Sequence, residues 1–197
     1  MVALQDSFPR FTPEEYFAWE EQQLERHEYI DGEVYAMSGG TIDHGDIAGN
    51  FLSLLKIHMR GRGCKTLNSD CRVSVVGSTK YIYPDLSVTC DDSLPETLRE
   101  RDKSTPQYIT YPCLIIEVLS PSTEAYDRGN KFKLYRQNPS LQEYVLVSTE
   151  AIEIELFRKG DGDNWKIINY QAGDIVELTS IDLTVPIEQI YEDIIFE

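Results

Sequence analysis

Leu114-Ile115-Ile116-Glu117-Val118-Leu119 holds five apolar residues in six, with no two-residue alternation. That is the pattern of a strand covered on both faces of its sheet, so Cys113 to Leu119 reads as a buried strand. Glu117 is the anomaly in it. A carboxylate in such a place is costly unless it meets a cation, a hydrogen-bond donor or a metal. The plain alternative is a strand-end glutamate that reaches solvent.

Upstream, Tyr81 to Thr89 also reads as a strand. The two-residue period sends Ile82, Pro84, Leu86 and Val88 one way and Tyr83, Asp85, Ser87 and Thr89 the other. Asp85 then lies on the more polar face, as residues of a solvated face also would. Taken together, Asp85 and Glu117 on neighbouring strands can share a hard cation such as Mg²⁺, which takes oxygen ligands and keeps several waters. An ion of this kind activates water and stabilises charge on a phosphate.

Downstream of Ser120-Pro121-Ser122, a helix is expected over about Tyr126 to Gln137. At about 100° per residue, Lys131, Leu134 and Tyr135 share one face and Lys133 lies on the other. A lysine inside the apolar stripe needs a partner or a task. Two simpler readings stay open: a snorkelling amine, and an ion pair with Asp127 at i,i+4.

The remaining elements extend outward from this centre. Thr12-Pro13-Glu14-Glu15 is a capping box with proline at the first helical position, with Tyr16, Phe17, Trp19 and Leu24 as apolar contacts of that helix. Tyr29 to Tyr35 reads as a hairpin turning on Asp31-Gly32. A second helix is expected from near Asp43, with Ile47, Ala48, Phe51, Leu54, Leu55 and His58 on one face and Gly61 and Gly63 ending it. Cys71 to Val76, Tyr144 to Val147, Ile152 to Phe157, Trp165 to Tyr170 and Ile175 to Leu178 read as strands, and Pro186 to Ile195 as a short helix. Asp91 to Gln107 is polar and reads as a surface loop or short helix. Helices early, strands in the middle and one helix between strands point to a mixed sheet with flanking helices.

The 197 residues suit a single domain: an N-terminal helix and hairpin (about 12–36), a core (about 43–150), and C-terminal strands with a short helix (about 151–197). No apolar run is long enough to span a bilayer, and Met1 to Arg10 lacks the order of a secretory signal. A soluble, cytoplasmic protein is expected. Cys64, Cys71, Cys90 and Cys113 form no C-x-x-C pair and read as reduced thiols. G-x-S-x-G and P-loop spacings are absent. Eighteen Lys and Arg against 34 Asp and Glu leave a net charge of −16. That argues against a general electrostatic grip on nucleic acid, so a protein acting on DNA here must concentrate its cations or borrow them as metal.

Tyr83-Pro84-Asp85, Ile116-Glu117-Val118-Leu119-Ser120-Pro121-Ser122, Asp127 with Lys131 and Tyr135, and Glu143-Tyr144-Val145-Leu146-Val147 together resemble the restriction-endonuclease-type family called Uma-two, of the PD-(D/E)XK nuclease superfamily. Glu28-Tyr29-Ile30-Asp31-Gly32-Glu33 and His44 are similar to its N-terminal signature. The likeness runs from about Thr12 to Val147 and is weaker beyond.

The resemblance implies an α/β (α+β) chain with a restriction-endonuclease-like core, a central mixed sheet with helices on both sides. It implies Asp85 and Glu117 as the acidic motif residues, holding Mg²⁺ or Mn²⁺ together with the Val118 carbonyl, and it places Glu33 and His44 near the site. For His44, capping or packing at the helix start stays open beside chemistry. The family's usual lysine would stand two residues after the glutamate, where this chain has Leu119; Lys131 matches the amine that related proteins supply from the next helix. The expected activity is metal-dependent endonuclease hydrolysis of DNA by a possible homodimer, leaving 5′-phosphates. A nuclease-fold protein that binds or regulates with little cleavage, and a nuclease acting on RNA, are the alternatives.

Overall fold

The computed structural model describes residues 10–37, 39–77, 79–90 and 108–196. Among the described residues the order begins α1 (Pro13–Glu20), β1 (His27–Ile30), β2 (Glu33–Ala36), α2 (Ile42–His58), β3 (Cys64–Asn68), β4 (Arg72–Ser74), β5 (Lys80–Ile82) and β6 (Leu86–Cys90). Then come β7 (Tyr108–Ile109) and the central β8 (Leu114–Val118). A continuous helical element, α3, follows as Glu124–Tyr126, a π-helical segment Asp127–Lys131 and Phe132–Tyr135. β9 (Glu143–Val147), β10 (Glu153–Lys159), β11 (Trp165–Gln171), β12 (Ile175–Leu178) and β13 (Leu183–Pro186) complete the order.

Every residue of β8 is buried, as its unbroken apolar run requires. It lies inside a six-stranded sheet ordered β11-β10-β9-β8-β6-β3. The β8–β9 pair is parallel and its neighbours are antiparallel, so the sheet is mixed. A parallel pair needs a crossover, and α3 supplies it. Successive β8 side chains point to opposite faces. Leu114, Ile116 and Val118 pack with Ile47, Phe51 and Leu55 of α2. Ile115 and Leu119 pack with Phe132 and Tyr135 of α3. Glu117 therefore faces the α3 layer. The architecture is the mixed α+β arrangement expected, a central mixed sheet with helices on both faces.

A second sheet, β2-β1-β5-β4-β7, carries the N-terminal hairpin. Its turn is built by Asp31 at φ 52° and Gly32 at φ 98°, the left-handed pair that a two-residue hairpin loop demands. Thr12 caps α1 in a full capping box. Tyr16 of α1 stacks on Tyr29, closing a small aromatic cluster with Tyr81.

Several expectations need correction. Tyr81 to Thr89 is not one strand. Its first part is β5, in the five-stranded sheet, and its second is β6, in the six-stranded sheet. Pro84, which lacks an N–H to donate, and Asp85 lie in the break. The two-residue period does not run through it, and Ile82 and Leu86 enter different cores. Leu24 lies beyond α1 and is fully exposed. α2 begins at Ile42 behind a Thr41 cap. Of the helix expected over Pro186 to Ile195, one 3₁₀ turn forms, Ile187–Gln189, and Pro186 ends the strand β13. Leu183 and Val185 alternate inward there, and the pairing of β13 with β12 satisfies the backbone. Cys64 and Cys90 are directly opposed on β3 and β6 and form a disulfide, so the reading of four reduced thiols fails for that pair. The Asp91 to Gln107 segment lies outside the described residues.

Candidate active site

Glu117, 1% exposed, enters a cavity between the sheet, α3 and the β2–α2 connection. Its Oε2 accepts from Lys131 Nζ at 2.8 Å and from the Asp85 amide at 3.3 Å. Its Oε1 is buried and, among the described residues, meets no hydrogen-bond donor. Leaving a buried carboxylate oxygen unpaired costs free energy, so this atom is either a flaw in packing or a position kept for a ligand.

Asp85 reaches the same cavity because the chain turns from one sheet to the other at Pro84-Asp85. The Val118 amide donates to Asp85 Oδ2 at 2.7 Å, and His44 Nε2 lies 3.3 Å from the same oxygen. His44 stands in the first turn of α2, its own amide bonded to the Thr41 hydroxyl at 3.2 Å. Capping and site geometry thus coincide, with Thr41 as the cap and His44 left free to point inward. Gly40 packs over the ring: a Cβ added at Gly40 would come within 2.7 Å of His44 Nδ1. The bond to Asp85 is the main cause that raises the His44 pKa. Burial opposes it, and the Asp85 charge and the Val118 carbonyl add to it.

Lys131 comes from the π-helical segment. Its ammonium lies 2.8 Å from Glu117, 3.5 Å from Asp127 Oδ1 and 3.8 Å from Glu28 Oε1. The wider i→i+5 turn leaves helix carbonyls without their usual donors, and the buried Tyr144 hydroxyl takes the Asp127 carbonyl at 2.9 Å. Burial alone would favour a neutral lysine. The charges of Glu117, Glu28, Asp127 and Asp85 outweigh it and hold Lys131 well above its usual value, as a cation. Burial is also the largest cause acting on Glu117, Glu28 and Asp127, and it raises all three. Lys131 opposes those shifts only in part. Glu28, Asp85, Glu117 and Asp127 line the cavity beside Lys131 and His44.

Asp85, Glu117, Lys131, His44 and Val118 thus meet in one cavity. Glu33 does not. It is exposed on β2, bonded to Arg10 at 3.3 Å and Tyr35 at 2.7 Å. Glu28, Tyr126 and Asp127 do line the cavity. Glu28 stands in the sequence only as part of the N-terminal signature, but it carries a further signal: it alternates with His27 and Tyr29 along a strand. Those two pack with Trp19 and Tyr16 of α1, so the period sends Glu28 the opposite way. Lys133 is exposed, on the outer side of α3.

Among the described residues, no three His, Cys, Asp or Glu side chains are arranged to hold a metal by themselves. Two carboxylates and a main-chain carbonyl would suit an ion that keeps part of its water shell. The unpaired Glu117 Oε1 beside Asp85 fits that requirement.

An uncharacterised Synechocystis protein, slr1290, is 49% identical over 189 residues, covering 96% of this chain and 95% of its own. A second from the same organism, sll1609, is 32% identical over 154 residues, covering 78% of this chain and 84% of its own. The crystal structure of a "putative nuclease belonging to DUF820" from Anabaena variabilis superposes with a TM-score of 0.72 at 16% identity, over 92% of this chain and 97% of that one. That likeness establishes a shared fold. Residues 13–188 match the family model Uma2, described as "putative restriction endonuclease". The chain belongs to the Uma2 family.

Proposed function

We propose that the chain is a metal-dependent endonuclease that hydrolyses phosphodiester bonds, with DNA as its substrate. The observation that carries this reading is the half-satisfied Glu117 carboxylate beside Asp85 and Lys131. Asp85, Glu117 and the Val118 carbonyl would hold Mg²⁺ or Mn²⁺. An ion there supplies an activated water and stabilises charge on the phosphate.

The chain's own groups have separable tasks. Lys131, kept cationic by its carboxylate neighbours, offsets phosphate charge and orients the attacking water through its N–H donors. A protonated ammonium is not a base, so general-base action by Lys131 is not part of this reading. His44 fixes Asp85 through Nε2, and Gly40 keeps the imidazole in place. Exposed Glu33 has no part in it. The reading places a single nuclease domain in a cytoplasmic protein, working as a homodimer.

A second reading, a nuclease-fold protein that binds or regulates, draws support from the net charge of −16. One experiment separates them. Purified protein is incubated with supercoiled plasmid, single-stranded DNA and RNA, with Mg²⁺, with Mn²⁺ and with chelator. The endonuclease reading expects DNA cleavage that chelator abolishes and that Asp85→Ala lowers by about 10³-fold, the scale for removing an electrostatic group from an active site. Cleavage of RNA alone would redirect the substrate. Inertness toward all three would favour the binding protein.

A further inference from the structure

We infer that Glu28 is a positioning residue for Lys131, and that the N-terminal hairpin is therefore part of the active site rather than a cover for it. The inference rests on the endonuclease reading and extends it to a residue outside the core motifs.

An ammonium has three N–H donors, and Lys131 has three carboxylates around it, each from a different element. Glu117 is on β8, Asp127 on α3 and Glu28 on β1, at 2.8, 3.5 and 3.8 Å. The first two belong to the sheet and helix that build the cavity floor. Glu28 belongs to the other sheet, where β1 pairs with β2 and β5. It is 4% exposed and fixed from two further sides. The Tyr83 amide donates to Oε1 at 3.3 Å, and the Tyr126 hydroxyl donates to Oε2 at 3.1 Å. Tyr83 leads directly into the break that places Asp85, and Tyr126 precedes the π-helical segment that carries Lys131. One carboxylate thus ties together the two chain segments that deliver the aspartate and the lysine.

Its task becomes distinct when the site is loaded. With Asp85 and Glu117 holding a cation, Glu117 would divide its charge between that ion and the Lys131 ammonium, which the ion would also repel. Glu28 and Asp127 are then the anions left to keep Lys131 at the cavity. Asp127 shares a helix with Lys131 and moves with it. Glu28 is anchored on a separate sheet, so it alone of these two fixes the ammonium relative to Asp85.

The test compares wild type, Glu28→Gln, Glu28→Asp and Glu117→Gln by thermal melting, by Mn²⁺ binding in electron paramagnetic resonance, and by steady-state cleavage of a labelled DNA duplex. Gln keeps the shape and one acceptor oxygen, enough for one of the two tyrosine donors, but not the charge. Glu28→Gln should melt within a few degrees of wild type and bind Mn²⁺ and DNA within about twofold, with kcat down by about 10²-fold, as expected for a misplaced catalytic group. Glu28→Asp should recover part of the rate. Glu117→Gln should lose Mn²⁺ binding as well as cleavage. A folded Glu28→Gln with wild-type kcat overturns the inference and leaves the endonuclease reading intact. Loss of Mn²⁺ binding in Glu28→Gln also overturns it, by making Glu28 part of the cation site. Wild-type protein that neither binds Mn²⁺ nor cleaves DNA overturns the endonuclease reading itself, and with it the basis of the inference.

Discussion

Glu117 and Glu143 are both buried glutamates on adjacent parallel strands of one sheet, and they differ in how their oxygens are paired. Glu143, fully buried at the start of β9, accepts from Arg158 Nε at 2.8 Å, from the Thr179 amide and hydroxyl at 3.1 Å each, and from the Ser180 amide at 2.9 Å. It ties β9 and β10 to the 3₁₀ turn Thr179–Ile181 and uses both oxygens in doing so. Glu117, three β8 residues along from the partner of Glu143, leaves Oε1 unpaired. One carboxylate is spent on the fold. The other is held in a cavity with part of its bonding capacity in reserve. Burial of a charge therefore does not by itself mark a functional residue; incomplete satisfaction beside other convergent groups does.

Lysines in α3 give the largest effect by which that contrast can be sharpened. Lys131→Ala should slow DNA cleavage by about 10²-fold or more, whereas Lys133→Ala, on the exposed side, should leave it unchanged. Steady-state cleavage rates of the two purified variants are the check. Equal losses would mean that the cavity does not select between them, and a loss confined to Lys133→Ala would invert the helix-face assignment.

Stability should reverse the order of the two glutamates. Glu143→Gln replaces an acceptor with an amide facing four donors, and should cost about 3 kcal/mol, within the range for breaking a buried charge pair. For a chain of this size that is roughly a 6–12 °C fall in Tm. Glu117→Gln should shift Tm by no more than about 3 °C, because Lys131 keeps Glu28 and Asp127 and an under-satisfied buried carboxylate is removed. Thermal melting of the matched pair in chelator decides it. A larger fall for Glu117→Gln than for Glu143→Gln would make Glu117 the structural member.

Much of this geometry was written in local pattern. The apolar run around Glu117 marks a doubly covered strand, and the contacts of Ile115 and Leu119 with α3 show which layer Glu117 faces. The Lys131 amine meets Glu117, the face that helical spacing predicts, although the helix is not uniform. The 100° step fails across Asp127–Lys131, but Lys131, Leu134 and Tyr135 lie at and beyond the end of that segment, where α-helical spacing returns. Asp85 entered the site for a reason other than the one inferred. The strand it was assigned to breaks at Pro84-Asp85, and the change of sheet aims the side chain.

What stayed hidden depends on pairing between distant segments. Glu28 and Glu33 share a face of the β1–β2 hairpin, since Glu28 pairs with Tyr35 and Ile30 with Glu33. Glu33 sits at the turn, in solvent, and Glu28 lies farther in, against Tyr83 and Tyr126. No local pattern tells them apart, because the packing of the second sheet decides which one is covered. The Cys64–Cys90 bond is hidden in the same way: only the β3–β6 register sets the two residues opposite each other.

The most direct measurement is Mg²⁺-dependent nicking of supercoiled plasmid by wild type, Glu117→Gln and Glu143→Gln, prepared in parallel and normalised to folded protein by melting amplitude. The account predicts that wild type and folded Glu143→Gln nick at similar rates, that Glu117→Gln falls to background, and that chelator stops both active proteins. Nicking by Glu117→Gln at the wild-type rate would contradict it and assign the activity elsewhere.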